Sequence, residues 1–108
     1  MSEVCLTYKY AKEDNGWISV CCLDFPLIAT QGKTKEELKE NVISLTEWCL
    51  QMQRDGELHE SQQMKITKHK YSKNYFRLTF DAEKCKLVKD ANFRNFDFLA
   101  KTLGSRRG

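Results

Sequence analysis

The 108-residue chain has the length of one small domain, and 41% hydrophobic with 11% aromatic residues can form a buried core, which excludes wholesale disorder. A formal net charge of +3 permits an anionic partner but does not by itself predict nucleic-acid binding. No segment approaches about 18 consecutive apolar residues, and the N-terminus lacks a basic stretch followed by an apolar one, so we expect a cytoplasmic protein without membrane contact.

Three strands are predicted in the first third of the chain. Apolar and polar residues alternate from Val4 to Tyr10, which is typical of a half-buried strand. Asn15-Gly16 is a strong hairpin signal after that segment. The segment 17–23 is apolar on both sides, which favours a central strand covered on two faces. A short strand around residues 28–31 would complete an antiparallel meander.

One long amphipathic helix is predicted to follow these strands. Thr34 and Glu37 have the spacing of a capping box, in which the threonine hydroxyl accepts from the glutamate N–H and the carboxylate bonds back to the threonine N–H. Asp55-Gly56 marks the helix end. An apolar stripe recurs at intervals of three and four residues: Leu38, Val42, Leu45, Cys49 and Met52. This stripe predicts packing on a sheet.

A fourth strand is predicted from Tyr75 to Phe80, where alternation returns. Residues 57–70 are polar, and Met64 and Ile66 are a weak indication of a further strand. The order is then β-β-β-α-β, an α+β two-layer sandwich in which residues 1–83 form an antiparallel meander with one packed helix. The uncovered sheet face predicts burial by the C-terminal segment or by a second subunit, as a homodimer or higher homo-oligomer.

Residues 84–108 are predicted to form a basic, helical C-terminal extension. It contains seven lysine and arginine residues against two aspartates. Several of its apolar residues fall at helical spacing: Phe93, Phe96, Leu99, Ala100 and Leu103. Docking of this apolar side on the sheet is the favoured interpretation, and contact of Lys101, Arg106 and Arg107 with nucleic-acid phosphates is the alternative.

The five cysteines and two histidines lack the spacing of a metal or redox site. There is no C-x-x-C pair, and Cys21 and Cys22 would point to opposite faces of a strand. His59 and His69 do not have the i, i+4 spacing of a helical metal site. Reduced cysteines used as small core residues are favoured over a zinc site, so we predict no metal ligand and no cofactor.

A set of residues between the hairpin and the helix start resembles a family signature, and its members from Asp24 to Glu37 fit the spacing of that signature without a gap. The set consists of Gly16, Trp17, Asp24, Pro26, Thr30, Gly32, Thr34, Glu36 and Glu37. An aromatic residue after the hairpin glycine, then Asp-x-Pro, then T-x-G-x-T-x-E-E resembles the signature of HicB-like antitoxins, over about residues 4–52. Leu27-Ile28 and Leu38 depart from the family pattern, which has Gly-Cys and a small residue there.

The resemblance implies a partial ribonuclease-H-like fold that acts as a protein-binding module and not as an enzyme. HicB-like proteins cap a small basic toxin of the HicA type, which cleaves messenger RNA. We therefore expect an antitoxin, or a solitary relative, that binds and neutralises such a toxin. Many family members carry a C-terminal DNA-binding domain, for which the tail here is too short. The alternative is a non-catalytic module of the same fold that associates with nucleic acid through the basic tail.

Candidate partner contacts lie on the predicted helix. Trp48 falls off the apolar stripe, so contact with a second subunit or partner is weighed against a core position. The acidic residues Glu36, Glu40 and Glu47 would complement a basic toxin. The other motif residues are assigned structural roles.

Asp24 has the position that a ribonuclease-H-type carboxylate would take at a strand end, where it would share a divalent cation. Further carboxylates for such a site are not evident, since Asp14 lies in the predicted hairpin and Asp81 follows the last strand. We therefore predict that Asp24 forms a turn and that no residue is catalytic, with metal-dependent nuclease activity as the less favoured alternative.

Overall fold

The computed structural model describes residues 3–70 and 72–88, which form an antiparallel five-stranded sheet with one α-helix packed on it. The strands are β1 (Glu3–Lys12), β2 (Ile18–Cys22), β3 (Ala29–Gly32), β4 (Tyr75–Asp81) and β5 (Lys86–Leu87). Their spatial order is β3-β2-β1-β4-β5. The helix α1 (Lys35–Arg54) follows β3, and a single 3₁₀ turn (Glu60–Gln62) comes after it. The α+β class and the order β-β-β-α-β up to β4 are confirmed.

The hairpin between β1 and β2 forms at the predicted Asn-Gly dipeptide. Gly16 adopts a φ of +91°, a left-handed conformation that glycine enters without a steric penalty. The Glu13 N–H donates to the Trp17 carbonyl at 2.7 Å. The Asn15 side chain accepts from the Trp17 N–H at 3.1 Å, which orients the chain for entry into β2.

The core lies between α1 and one face of the sheet. Leu6 on β1 and Leu78 on β4 are fully buried there. The Tyr8 ring stacks on Phe76, with 5.1 Å between the ring centroids. The Tyr8 hydroxyl lies 2.8 Å from Thr46 Oγ1, so the polar end of this buried ring has a partner on the helix.

The buried side of α1 differs in part from the predicted stripe. Leu45 and Met52 are half-buried at the core margin, whereas Thr46 and Leu50 are buried. Thr46 enters the core because its hydroxyl bonds to Tyr8, a contact that a hydrophobic pattern cannot reveal. The remaining stripe positions, Leu38, Val42 and Cys49, are buried as predicted.

Of the two hydrogen bonds predicted for the capping box at the start of α1, one forms as predicted and the other has a different donor. Thr34 Oγ1 accepts from the Glu37 N–H at 3.1 Å. The Glu37 carboxylate bonds back to the Lys33 N–H at 3.0 Å, one residue before the threonine N–H that the capping box predicted. The carboxylate therefore holds the loop that connects β3 to the helix.

Replacing Thr34 with alanine is expected to lower the free energy of unfolding by about 1 kcal/mol, because a first-turn N–H loses its acceptor. Urea denaturation followed by circular dichroism measures the change. Ser44, an exposed hydroxyl residue within the same helix, is the matched control, and its replacement by alanine should not destabilise the protein. Equal stabilities of the two variants would contradict the assigned cap.

The segment 57–70 contains no strand, although every one of its residues is described. Met64 packs against the core, and its N–H donates to the Gln53 side chain at 2.6 Å. Ile66 is 50% exposed. The indication of a strand at these two residues was therefore wrong. The N–H groups of Met64, Lys65 and Thr67 donate to Gln53 and Asp24 and not to a neighbouring strand.

The sheet continues beyond residue 83, where the sequence predicted the boundary of the domain. β5 pairs with β4, and the Val88 N–H donates to the Thr79 carbonyl at 2.9 Å. β5 has only two residues, which are too few to show the alternation of apolar and polar residues that is typical of a strand. The sequence therefore did not predict β5. The helix predicted in the remainder of the extension lies outside the described residues.

The sheet has an open face, turned away from α1. We define it by six residues on three strands: Cys5, Thr7, Lys9, Cys21, Tyr75 and Arg77. Cys21 and Lys9 are exposed, so within the described chain β2 is not covered on both faces as predicted. On this side β2 presents two small residues, Ser19 and Cys21. The prediction counted Cys21 as an apolar and therefore buried residue, but a cysteine in a strand is not by itself a sign of burial. Coverage by the C-terminal segment or by a second subunit stays a prediction.

Candidate functional site

The residues predicted to contact a partner lie on the outer side of α1. Trp48 is 56% exposed, so it lies off the buried stripe as its position indicated. Glu36 and Glu40 are exposed as well. With the half-buried Ile43 they line a shallow depression of about 400 Å³. An aromatic anchor and carboxylates are thus available on one helix.

Glu47 has a different role from the one predicted. Its Oε2 accepts from the Leu87 N–H at 3.0 Å, and its Oε1 lies 3.7 Å from the Lys86 Nζ. The carboxylate therefore links α1 to β5 within the chain. The sequence assigned Glu47 to a partner because the strand that it binds was not predicted.

The tail residues Lys101, Arg106 and Arg107 lie outside the described residues, so nucleic-acid contact through them stays a prediction. No helix within residues 3–70 and 72–88 combines the length and apolar composition needed to cross a membrane.

The remaining motif residues have local structural positions. Pro26 is exposed in a turn that is closed by the Ile28 N–H donating to the Phe25 carbonyl at 3.0 Å. Thr30 pairs with Val20 in the ladder between β3 and β2. A Cβ atom on Gly32 would lie 3.0 Å from both the Cα and the N of Leu38, so this glycine permits α1 to approach β3.

Asp24 is the most connected polar side chain of the described structure, and it is only 1% exposed. Its Oδ2 accepts from the Thr7 N–H at 2.9 Å. Its Oδ1 accepts from the Thr67 N–H at 3.1 Å and from His69 Nε2 at 2.8 Å. Because a carboxylate can only accept, Nε2 of His69 carries the proton. The turn residue that we predicted is therefore a buried connector of three segments.

Opposing effects act on the pKa of Asp24. Burial alone would raise this pKa, but the hydrogen bonds from His69, Thr7 and Thr67 together outweigh burial and hold it below the usual aspartate value. Asp24 is ionised at neutral pH, and both of its oxygens are occupied. In residues 3–70 and 72–88, no three His, Cys, Asp or Glu side chains come together as ligands of a metal would.

A basic cleft of about 410 Å³ lies beside this connector on the open face. Its lining residues are Cys5, Thr7, Thr67, Lys68, His69 and Arg77. Arg77 Nε donates to Thr7 Oγ1 at 3.3 Å. Sequence analysis missed the cleft, although a charge count over residues 61–80 would have pointed to it, since this segment contains no aspartate or glutamate.

All five cysteines are free thiols, but only three of them belong to the core. Cys22, Cys49 and Cys85 are buried as predicted, and burial raises the pKa of Cys22 to about 12, so its thiol is unreactive. Cys5 and Cys21 are exposed on the open face, where the prediction of core positions was wrong.

No protein-family model matches the chain, and comparisons with curated proteins and with solved structures found no match. Any functional assignment must therefore be supported by the motif residues, the order of the elements and the surfaces described above.

Proposed function

We propose that this protein is a non-catalytic binding protein of the HicB-like antitoxin type, which neutralises a small, basic, HicA-type toxin by covering its RNA-cleaving site. The observation that carries this proposal is the ungapped motif from Asp24 to Glu37 in a chain with the order β-β-β-α-β. Within it, Asp24 closes the end of β2, Gly32 admits the helix, and Thr34 caps it.

The outer side of α1 is the surface that we assign to the toxin. Trp48 is a large exposed aromatic residue, of a kind enriched among the residues that dominate binding energies. Glu36 and Glu40 lie on the preceding turns and carry the charge that a basic partner requires. From Glu40 to Trp48 the helix advances about 12 Å, which is within the reach of one small interface.

The direct test is binding to purified HicA-type proteins encoded by the same genome, measured by titration calorimetry and by cleavage of a labelled RNA. We expect a stoichiometric complex in which RNA cleavage is lost. If no HicA-type protein of the host binds, and cleavage is unaffected by an excess of this chain, the proposal is refuted.

Replacing Trp48 with alanine is expected to raise the dissociation constant for the toxin at least about tenfold, because an interface anchor is removed. Ile66→Ala is the matched control, since Ile66 is the other large hydrophobic residue that the described structure exposes, and it belongs to the segment after the helix. The dissociation constant of Ile66→Ala for the toxin should stay within about twofold of the wild-type value. Equal effects of the two substitutions would argue against an interface on α1.

A further inference from the structure

Basic residues are frequent in the segment that contributes Thr67, Lys68, His69 and Arg77 to the cleft. The segment 61–80 contains no acidic residue, and its basic residues are Lys65, Lys68, His69, Lys70, Lys73 and Arg77. Ion pairs within residues 3–70 and 72–88 join Arg54 to Asp55, His69 to Asp24 and Lys86 to Glu47. Neither Lys68 nor Arg77 takes part in one, so their charges are not neutralised by the described chain.

The strand register places Arg77 and Lys9 on the open face. Thr7 lies opposite Arg77, and Lys9 lies opposite Tyr75, one step further along the same two strands. The bond from Arg77 Nε to Thr7 orients the guanidinium group. Among the described residues, no other side-chain hydrogen bond joins Arg77 to a partner, and its side chain is exposed.

The buried connector fixes the other wall of the cleft. Thr67 and His69 are both held by the carboxylate of Asp24, so the backbone of Lys68 between them has a defined position. The Asp24 carboxylate pairs with His69, so among the cations that line the cleft it is Lys68 and Arg77 that have no acidic partner within the described residues. Lys68 therefore has a fixed backbone position in the lining of the cleft, to which Arg77 also belongs.

Two acidic residues, Glu3 and Asp81, lie beyond the Cys5 end of the cleft. Glu3 and Asp81 are paired with each other at the far end of β1 and β4. They are four residues from the pair of Thr7 and Arg77, a separation of about 13 Å along the strands. At physiological salt this distance exceeds the screening length of about 8 Å, so Arg77 is largely screened from these two carboxylates, whereas Cys5 at the near edge of the cleft is only two residues from Glu3.

We propose that the basic cleft binds single-stranded RNA, with Arg77 and Lys68 contacting phosphate oxygens and Tyr75 stacking on an adjacent base. A guanidinium group offers paired donors that match a phosphate, and an open sheet with an aromatic residue can receive an unpaired base. Lys9, opposite Tyr75, continues the path of positive charge. This function lies on the sheet face opposite to α1, so it is separate from the toxin-binding surface.

The test uses the full chain and a fluorescently labelled oligouridylate of twelve nucleotides, with binding followed by fluorescence anisotropy over a range of salt concentrations. For the double variant Lys68→Gln/Arg77→Gln we expect about tenfold weaker binding. Loss of two phosphate contacts should also make the slope of log K against log salt shallower by about 1.4. Tyr75→Leu should weaken binding of the oligouridylate but not of inorganic polyphosphate, because only the former has bases to stack.

The matched control is Lys35→Gln/Lys84→Gln, which removes the same charge from exposed positions outside the cleft. Its affinity should stay within about twofold of wild type. If the double variant in the cleft fails to fold, the exposed Lys68 is replaced alone by glutamine. The slope of log K against log salt should then change by half as much as is expected for the double variant. Thermal melts report the folding of each variant.

Four results would overturn the proposal. The first is no binding by the wild-type chain at low salt. The second is an equal loss in the cleft variant and in its matched control, which would show an effect of net charge alone. The third is loss in Lys101→Gln/Arg106→Gln/Arg107→Gln with none in the cleft variant, which would assign RNA to the tail. The fourth is equal or tighter binding of a duplex of the same length.

Discussion

Replacing Asp24 with asparagine is expected to lower the free energy of unfolding by about 3 kcal/mol. The aspartate accepts from Thr7 through one oxygen and from Thr67 and His69 through the other. An asparagine has one amide oxygen, so its NH₂ group must face at least one buried N–H donor. A loss of this size lowers the melting temperature of a domain of about 100 residues by at least about 12 °C.

Urea and thermal denaturation of Asp24→Asn measure this loss. Asp14→Asn is the matched control, since it is the same chemical change at an exposed position in the β1–β2 hairpin. We expect the control to stay within about 0.5 kcal/mol of wild type. If both variants were equally stable, the buried hydrogen-bond network around Asp24 would not contribute as the structure indicates.

The same network predicts how stability responds to acid. Burial would raise the pKa of Asp24, but the bonds from His69, Thr7 and Thr67 hold it below the usual value. The unfolded chain, with an aspartate pKa of about 3.9, therefore takes up the proton more readily. The stabilisation is complete above that pH and is lost as the pH falls through the folded value. Melting curves of wild type and Asp24→Asn should accordingly converge on acidification.

A second acidic group, Asp81, also makes the stability of the protein depend on pH. The Lys84 N–H, and with it the Glu83 N–H, holds the pKa of Asp81 below its usual value. Asp81 is present in both proteins, so its acid dependence is shared. The contribution of Asp24 is the difference in melting temperature between wild type and Asp24→Asn at each pH. If this difference stayed constant down to the lowest pH, the lowered pKa assigned to Asp24 would be contradicted.

Elements encoded by neighbouring residues could be predicted from the sequence. The alternation in β1 and β4 reflects a two-residue period, and Asn15-Gly16 supplies the backbone conformation of its own turn. Thr34 caps the helix that follows it through the N–H of Glu37, only three residues away. Each of these signals requires no knowledge of the rest of the chain.

Contacts between distant residues could not be predicted in this way. His69 meets Asp24 across 45 positions, and Leu87 meets Glu47 across 40. Both carboxylates accept from backbone N–H groups at places where strand pairing is short or ends. A single carboxylate in a sequence looks the same whether it faces solvent, a partner or a buried N–H, so the sequence placed Asp24 in a turn and Glu47 at an interface.

Replacing Gly32 with alanine is expected to lower the free energy of unfolding by about 2 kcal/mol, because the added methyl group overpacks the contact between β3 and α1. It would lie 3.0 Å from the Cα and the N of Leu38 and 3.2 Å from its Cβ. The first two are backbone atoms in the first turn of α1, which cannot rotate away. The helix start must therefore move, and the capping bonds of Thr34 would be disturbed with it.

Two comparisons separate this steric effect from backbone strain and from side-chain size. Gly16→Ala has no atom within 4 Å of the new methyl group but a φ of +91°, so strain alone should cost about 1 kcal/mol. Leu38→Ala keeps all three atoms that the Gly32 methyl group would meet, so it cannot relieve the overlap. In a double-mutant cycle the losses should add, and rescue of Gly32→Ala by Leu38→Ala would show that the Leu38 side chain, and not the helix backbone, limits the approach.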